Sequence, residues 1–155
     1  MSTDWDRRYL DLAATVAAWS KDPSSKVGAA IVRPDKTIAS VGFNGFPRGV
    51  ADHATRYEDR SVKYPFTVHA EVNAILAAQE PLHGYTLYVT PLHPCASCAG
   101  AIIQAGIARV VSTPSAKSTV WDPDFSLAQT MFREAGVTVA VIHSEETPQW
   151  TTETT

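Results

Sequence analysis

Cysteine is nearly absent from this chain: two of 155 residues, both within Pro94-Cys95-Ala96-Ser97-Cys98. A fold stapled by disulfides is thereby excluded, and stability has to come from a packed core. No apolar run approaches the roughly 20 residues needed to cross a bilayer. The opening Met1-Ser2-Thr3-Asp4-Trp5-Asp6 is polar and acidic, unlike a secretion signal. These absences predict a cytoplasmic protein with reduced thiols and no membrane partner. Positive charge is scarce as well. Lys and Arg number 13 against 16 Asp and Glu, a net charge of −3, and no basic cluster breaks the balance. A nucleic acid polymer would favour a basic patch, so the expected partner is a small molecule, with room for a local site that takes one phosphate.

What is present is an ordinary globular composition, 45% hydrophobic and 19% charged, with length enough for one domain and a sizeable core. Tyr9, Leu12, Ala13, Val16, Ala17 and Trp19 recur at helical spacing over residues 4–20, with Ser2, Thr3 and Asp4 available as caps. Trp5 and Trp19 belong to the core or to a subunit contact. Residues 27–32 and 37–41 are β-rich and separated by Pro34-Asp35-Lys36, which predicts a hairpin. Residues 42–53 read as a loop, and polar residues continue it to position 63. A helix is expected from His69, burying Val72, Ile75 and Leu76 and ended by Pro81 and Gly84. Residues 85–90 form a strand, 95–105 a helix closed by Gly106, 109–112 a strand, 125–135 a helix closed by Gly136, and 137–142 a last strand.

The order α-β-β-α-β-α-β-α-β predicts one α/β sheet with helices on both faces. The helix between the last two strands makes them parallel, because a hairpin there would make them antiparallel. Residues 1–143 are expected to form a single domain, and 144–155, rich in Thr, a polar and flexible tail.

The chemistry lies in a joint pattern. His69-Ala70-Glu71 precedes Pro94-Cys95-Ala96-Ser97-Cys98, giving H-x-E … P-C-x-x-C, the arrangement of zinc-dependent nucleobase deaminases. His69, Cys95 and Cys98 are three ligands, which leaves a fourth position open for water and marks a catalytic zinc, one per subunit. Cys95 and Cys98 at i and i+3 share a helix face, near a terminus whose dipole favours thiolates. His69 and Glu71 are two apart and reach a common cavity only at a helix start. The two helix starts must then face each other on one side of the sheet. Glu71 is the expected proton shuttle. In the bland reading the zinc is structural, with Glu71, His93 or another chain as fourth ligand; it leaves Glu71's place beside the site unused.

Further segments extend the likeness. Ser20-Lys21-Asp22-Pro23, Lys26-Val27-Gly28-Ala29 and Gly42-Phe43-Asn44-Gly45-Phe46-Pro47-Arg48-Gly49 come first. Lys63-Tyr64-Pro65-Phe66, His69-Ala70-Glu71-Val72-Asn73-Ala74-Ile75 and Ile102-Ile103-Gln104-Ala105-Gly106-Ile107 follow. With these, the chain resembles the cytidine and deoxycytidylate deaminase superfamily from about residue 5 to 139, and within it the deoxycytidylate branch.

The resemblance implies a three-layer α/β/α cytidine-deaminase-like fold with a five-stranded mixed sheet. It implies hydrolytic deamination of dCMP to dUMP with release of ammonia. It gives Asn44 the substrate sugar, the Ala70 N–H the pyrimidine O2, and Ser24, Ser25 and Lys26 the phosphate. As bland readings, Asn44 is a turn residue and Lys26 a solvated lysine. Trp121 and Phe125 either stack on the base or pack in the core; the segment 114–125 lacks the tyrosine that many members place there. The loop at 42–49 (Gly42, Asn44, Gly45 and Arg48) is implied to take regulatory triphosphates, dCTP activating and dTTP inhibiting, with Mg2+, in a homo-oligomer (hexamer or dimer). No cysteine remains for the second zinc of some phage members. His93 lines the pocket or ligates, His53 covers the substrate or is solvated, and His83 and His143 carry no signal. Rival readings are deaminases of a 5-modified dCMP, another cytosine nucleotide or nucleoside, guanine or tRNA adenosine, and, outside catalysis, a zinc-stabilised interaction module.

Overall fold

The run Gly28–Val32, Gly-Ala-Ala-Ile-Val, offers apolar side chains to both of its faces, and all five residues are buried. A strand of this kind has to lie inside a sheet that is covered on both sides. In the computed structural model, which describes residues 4–114 and 123–143, it is β1 of a five-stranded sheet ordered β2-β1-β3-β4-β5. The other strands are β2 (Ile38–Phe43), β3 (Thr86–Thr90), β4 (Arg109–Ser112) and β5 (Thr138–Val141). β1 runs antiparallel to β2 and β3, while β3, β4 and β5 are mutually parallel. The expected parallel pair at the end of the chain is present, and the crossover between β3 and β4 makes a second one.

Alternation along the strands sorts the core into two layers. Ala30, Val32, Tyr88 and Val111 face α1 (Asp4–Ala17) through Tyr9 and Leu10. Ala29, Ile31, Leu87, Val89 and Val110 face the other way, onto α4 (Ala70–Ala78), α5 (Ala96–Gln104) and α6 (Pro123–Ala135), and Phe132 is fully buried there. The result is the expected three-layer α/β/α arrangement. Asp6 ties α1 to the sheet, accepting Arg109 at 2.8 and 2.9 Å and the Tyr88 hydroxyl at 2.7 Å.

Two glycines allow the layers to close. A Cβ on Gly28 would lie 2.0 Å from the Ala13 carbonyl oxygen of α1, and one on Gly42 would lie 2.4 Å from the Ala74 nitrogen of α4. The small residues Ala70 and Ala74 form the fully buried side of α4, and of the larger residues expected there Ile75 packs partly buried against the core. Leu76 is 67% exposed. Trp5 and Trp19 are also exposed; Trp19 packs edge-on against Phe43, and Trp5 stacks on Tyr9.

The stretch expected to be loop up to position 63 holds two short helices, α2 (Ala54–Glu58) and α3 (Arg60–Phe66). Asp59 starts α3 by accepting the Ser61 N–H. Ser2, Thr3, Trp121 and residues 144–155 lie outside the described residues.

Topology gathers the chemistry-bearing segments at one end of the sheet. Gly28 is the register partner of both Phe43 and Thr90. The start of β1 and the ends of β2 and β3 are therefore neighbours. A bridge between Gly45 and Val68 brings the chain entering α4 to the same place.

Candidate metal centre and cavity

His69 is the N-cap of α4 and Cys95 the N-cap of α5, both with extended backbone, and Cys98 sits in the first turn of α5. The two helix starts face each other. His69 Nδ1 is 3.3 Å from Cys98 Sγ and 3.5 Å from Cys95 Sγ. The ligand atoms of these three residues all lie within 4.8 Å of one another, the metal-capable cluster among the described residues. Tetrahedral zinc with Zn–S of about 2.3 Å and Zn–N of about 2.0 Å holds its S and N ligands about 3.5 Å apart. The donor set fits zinc in type and spacing.

Protonation makes the same point. The Cys98 thiol donates to Cys95, which brings Cys95 down to about 4 against its own burial, with His69 helping. Cys98 is pushed far above the usual thiol range by that same hydrogen bond and by burial. The hydrogen bond to Cys95 raises His69. Without a cation only one of the two sulfurs ionises; a dication stabilises both as thiolates.

Glu71, one residue into α4, is buried at 4% exposure. Burial raises its carboxyl above the ordinary value, against its own backbone N–H and the His69 charge. A carboxyl held up in this way binds a proton more readily than a solvated one.

His93 is not in the donor cluster. Its Nδ1 lies 2.8 Å from Ser112 Oγ and its Nε2 2.8 Å from Gln129 Nε2, and the ring meets Phe125 edge-on at 4.6 Å. Burial lowers its pKa to about 4, so the ring is neutral. Phe125 is partly buried against it. Asp124 accepts the Ala96 N–H at 3.0 Å and so braces the zinc helix from α6.

A cavity of about 760 Å³ opens over these groups. His69, Ala70, Glu71, His93 and Cys95 belong to its lining, together with Asp22, Ser24, Ser25 and Asn44. Asn44 is buried, its Oδ1 accepting the Val27 N–H at 2.9 Å and its Nδ2 donating to the Ser25 carbonyl at 2.7 Å. Asp22 Oδ1 accepts the N–H groups of Ser24 and Ser25 and the Lys63 ammonium.

Lys26 stands apart from this assembly. It is exposed, and its ammonium donates to the Ser20 carbonyl. Gly42, Gly45 and Arg48 line a separate surface cleft of about 540 Å³. Asn44, Gly45 and Arg48 also line a second one, of about 330 Å³. Tyr57, Arg60, Lys63, Tyr64 and Thr67 complete the cavity wall. The expected loop up to residue 63 covers Tyr57, Arg60 and Lys63, although the spacing Arg60, Lys63, Tyr64, Thr67 is that of one helix face.

A mixed α/β sheet carrying a three-donor metal centre and a buried carboxyl at its edge defines a zinc-dependent hydrolytic deaminase. Residues 3–113 match the model of the cytidine and deoxycytidylate deaminase zinc-binding region. The chain belongs to that family. It is 43% identical over 141 residues to an uncharacterized deaminase of Aliivibrio fischeri, across 90% of this chain and 94% of that one. It is 37% identical over 142 residues to the deoxycytidylate deaminase of Homo sapiens, across 87% and 78%. Among solved structures, the dCMP deaminase of cyanophage S-TIM5 in complex with dCMP and dUMP matches with a TM-score of 0.76 at 28% identity. That match covers 92% of this chain and 99% of the other.

Proposed function

We propose that this protein hydrolyses the exocyclic amine of dCMP, giving dUMP and ammonia. The observation that carries the reading is a buried carboxyl, Glu71, two residues from one of three zinc donors and in the lining of the same cavity as His69 and Cys95. Likeness to enzymes named for deoxycytidylate supports this substrate over other cytosine compounds, guanine or tRNA adenosine. His69, Cys95 and Cys98 hold the metal. Bound zinc lowers the pKa of a water to about 7 and so supplies a nucleophile at neutral pH.

Glu71 takes the proton of the attacking water and places it on the ring nitrogen N3, leaving C4 tetrahedral. It then takes the proton of the new C4 hydroxyl and delivers it to the amine, which departs as ammonia while C4 becomes a carbonyl. The Ala70 N–H, at the start of α4 where helix donors lack partners within the helix, holds the pyrimidine O2. Asn44, fixed by the turn around it, meets the sugar. The family resemblance gives the phosphate to Ser24, Ser25 and Lys26, and Trp121, outside the described residues, is the candidate for stacking on the base.

Ammonia release from dCMP, CMP, cytidine, deoxycytidine, cytosine, guanine and a tRNA stem-loop tests the substrate. Zinc-loaded protein should turn over dCMP best; no turnover of any cytosine nucleotide overturns the reading. Glu71→Ala should retain zinc and lose about 100- to 10,000-fold in rate, whereas Cys95→Ala should lose the metal. Loss of zinc from Glu71→Ala would make that residue a ligand and close the open position.

The clefts around Gly42, Asn44, Gly45 and Arg48 favour a second property, control by triphosphates with Mg2+, dCTP raising and dTTP lowering activity. A flat response to both at low substrate refutes it. The exposed Phe43 and Leu76 fit assembly into a homo-oligomer (dimer or hexamer), read by light scattering. No helix among the described residues is long and apolar enough to cross a membrane, and the cytoplasm, which keeps thiols reduced, suits this metal centre.

A further inference from the structure

α3 turns one stripe of its surface to the cavity: Arg60, Lys63, Tyr64 and Thr67. The stripe has a direction. Thr67 closes α3 just ahead of His69, so the metal donors lie at one end and Arg60 at the other. From residue 60 to 67 the rise is about 10 Å at about 1.5 Å per residue. That is comparable to the reach of a nucleotide from its base to its 5′-phosphate.

The two cations on the stripe differ. Lys63 is buried, and its ammonium is 2.9 Å from the Asp22 carboxylate, so its charge is cancelled. Arg60 lies about one turn further out and is exposed. Among the described residues it has no carboxylate within ion-pair distance, and its guanidinium lies 6.0 Å from the Tyr64 ring. Glu58 shares the rim, so Arg60 is where positive charge is available there. The Asp22 turn, which touches α3 through Lys63, does not offer a backbone cradle. The N–H groups of Ser24 and Ser25 are turned to Asp22 at 2.8 and 3.1 Å. Lys26 is turned to the Ser20 carbonyl and is not among the lining residues.

We infer that Arg60 binds the 5′-phosphate of the substrate and makes a nucleotide a better substrate than its nucleoside. The inference rests on the cytosine-nucleotide reading above. A guanidinium presents two parallel donors to a phosphate, a geometry that lysine does not reproduce.

Steady-state kinetics of Arg60→Gln and Arg60→Lys on dCMP and deoxycytidine test it. The ratio of kcat/KM for dCMP to that for deoxycytidine should fall about 10- to 100-fold in Arg60→Gln, the loss of one charge-assisted contact. The fall should appear in KM, and Arg60→Lys should recover part of it. Inorganic phosphate should compete with dCMP in the wild type and lose that effect in Arg60→Gln. A ratio within about twofold of wild type overturns the role of Arg60 and leaves the substrate reading standing. If no cytosine nucleotide is turned over but dUMP binds more weakly to Arg60→Gln by calorimetry, the substrate reading falls and the phosphate contact stands. Equal dUMP binding by both proteins overturns the contact as well.

Discussion

Lys63→Met isolates the electrostatics beneath the cavity wall. The Lys63 and Asp22 side chains are 9% and 5% exposed, with ammonium and carboxylate 2.9 Å apart. Methionine keeps most of the volume and removes the charge. Breaking a buried pair from one side costs about 3–5 kcal/mol, because the remaining charge is uncompensated. Asp22 keeps its bonds from the Ser24 and Ser25 N–H groups, which places the loss near the lower end, about 3 kcal/mol. A domain with on the order of 5–15 kcal/mol of stability survives this.

The pH dependence separates charge from packing. Burial pushes the Asp22 carboxyl up, but the hydrogen bonds from Lys63, Ser24 and Ser25 and the Lys63 charge outweigh it. The carboxyl ends below its ordinary value. A carboxyl depressed by folding contributes stability above its unfolded pKa of about 3.9 and loses it as pH falls through the folded value. Without Lys63, burial is opposed by the two amides alone and the carboxyl moves up. The penalty of Lys63→Met is therefore full at pH 7 and shrinks as acid protonates Asp22 in the variant.

Urea unfolding of wild type, Lys63→Met, Asp22→Asn and the double variant, from pH 7 down to about 4, reads this directly. The double variant should recover much of the loss, since neighbours in one pair do not add. A penalty that is constant across pH, or a double variant no more stable than Lys63→Met, refutes the reasoning.

Gly28→Ala should cost about 3 kcal/mol or more, because both near neighbours of the new methyl group, Ala13 O at 2.0 Å and Ala17 N at 2.5 Å, are backbone. A melting temperature within about 2 °C of wild type would show that α1 shifts freely. Chelation of zinc should lower the melting temperature, since a ligand at 1,000 times its Kd contributes about 4 kcal/mol; Cys98→Ser should melt at the same temperature with and without chelator. A wild-type transition indifferent to chelator would remove the metal from the folded state's stability.

Residues whose spacing carries their chemistry were legible from the chain alone. His69, Glu71, Cys95 and Cys98 belong to segments where helix starts are dictated locally, so proximity follows from the crossover order. Tertiary approach was not legible in the same way. Leu76 reads as a buried position by periodicity, yet α4 sits so close to Gly42 that its alanine side has to face the sheet. The stretch up to residue 63 reads as a continuing loop because it is polar, yet it holds α2 and most of α3. These helices are held by a cap at Asp59 and by Lys63 reaching Asp22, 41 positions earlier in the chain. Lys26 shows the converse. A cation beside two serines suggests a phosphate contact, while the ammonium donates to the nearby Ser20 carbonyl, a partner that spacing does not announce.

The Asn44 amide bears on how this site can change over time. One end of it accepts from Val27 N–H and the other donates to the Ser25 carbonyl. Aspartate, the substitution closest in shape, would set an anion 2.7 Å from that carbonyl oxygen, so the most conservative step is also closed. Tyr64 and Arg60, by contrast, are exposed and outside any such lock. Drift in substrate preference is thus channelled to the outer rim of the cavity, where single substitutions leave the inner machinery folded. Change should be tolerated at exposed Arg60 sooner than around Asn44.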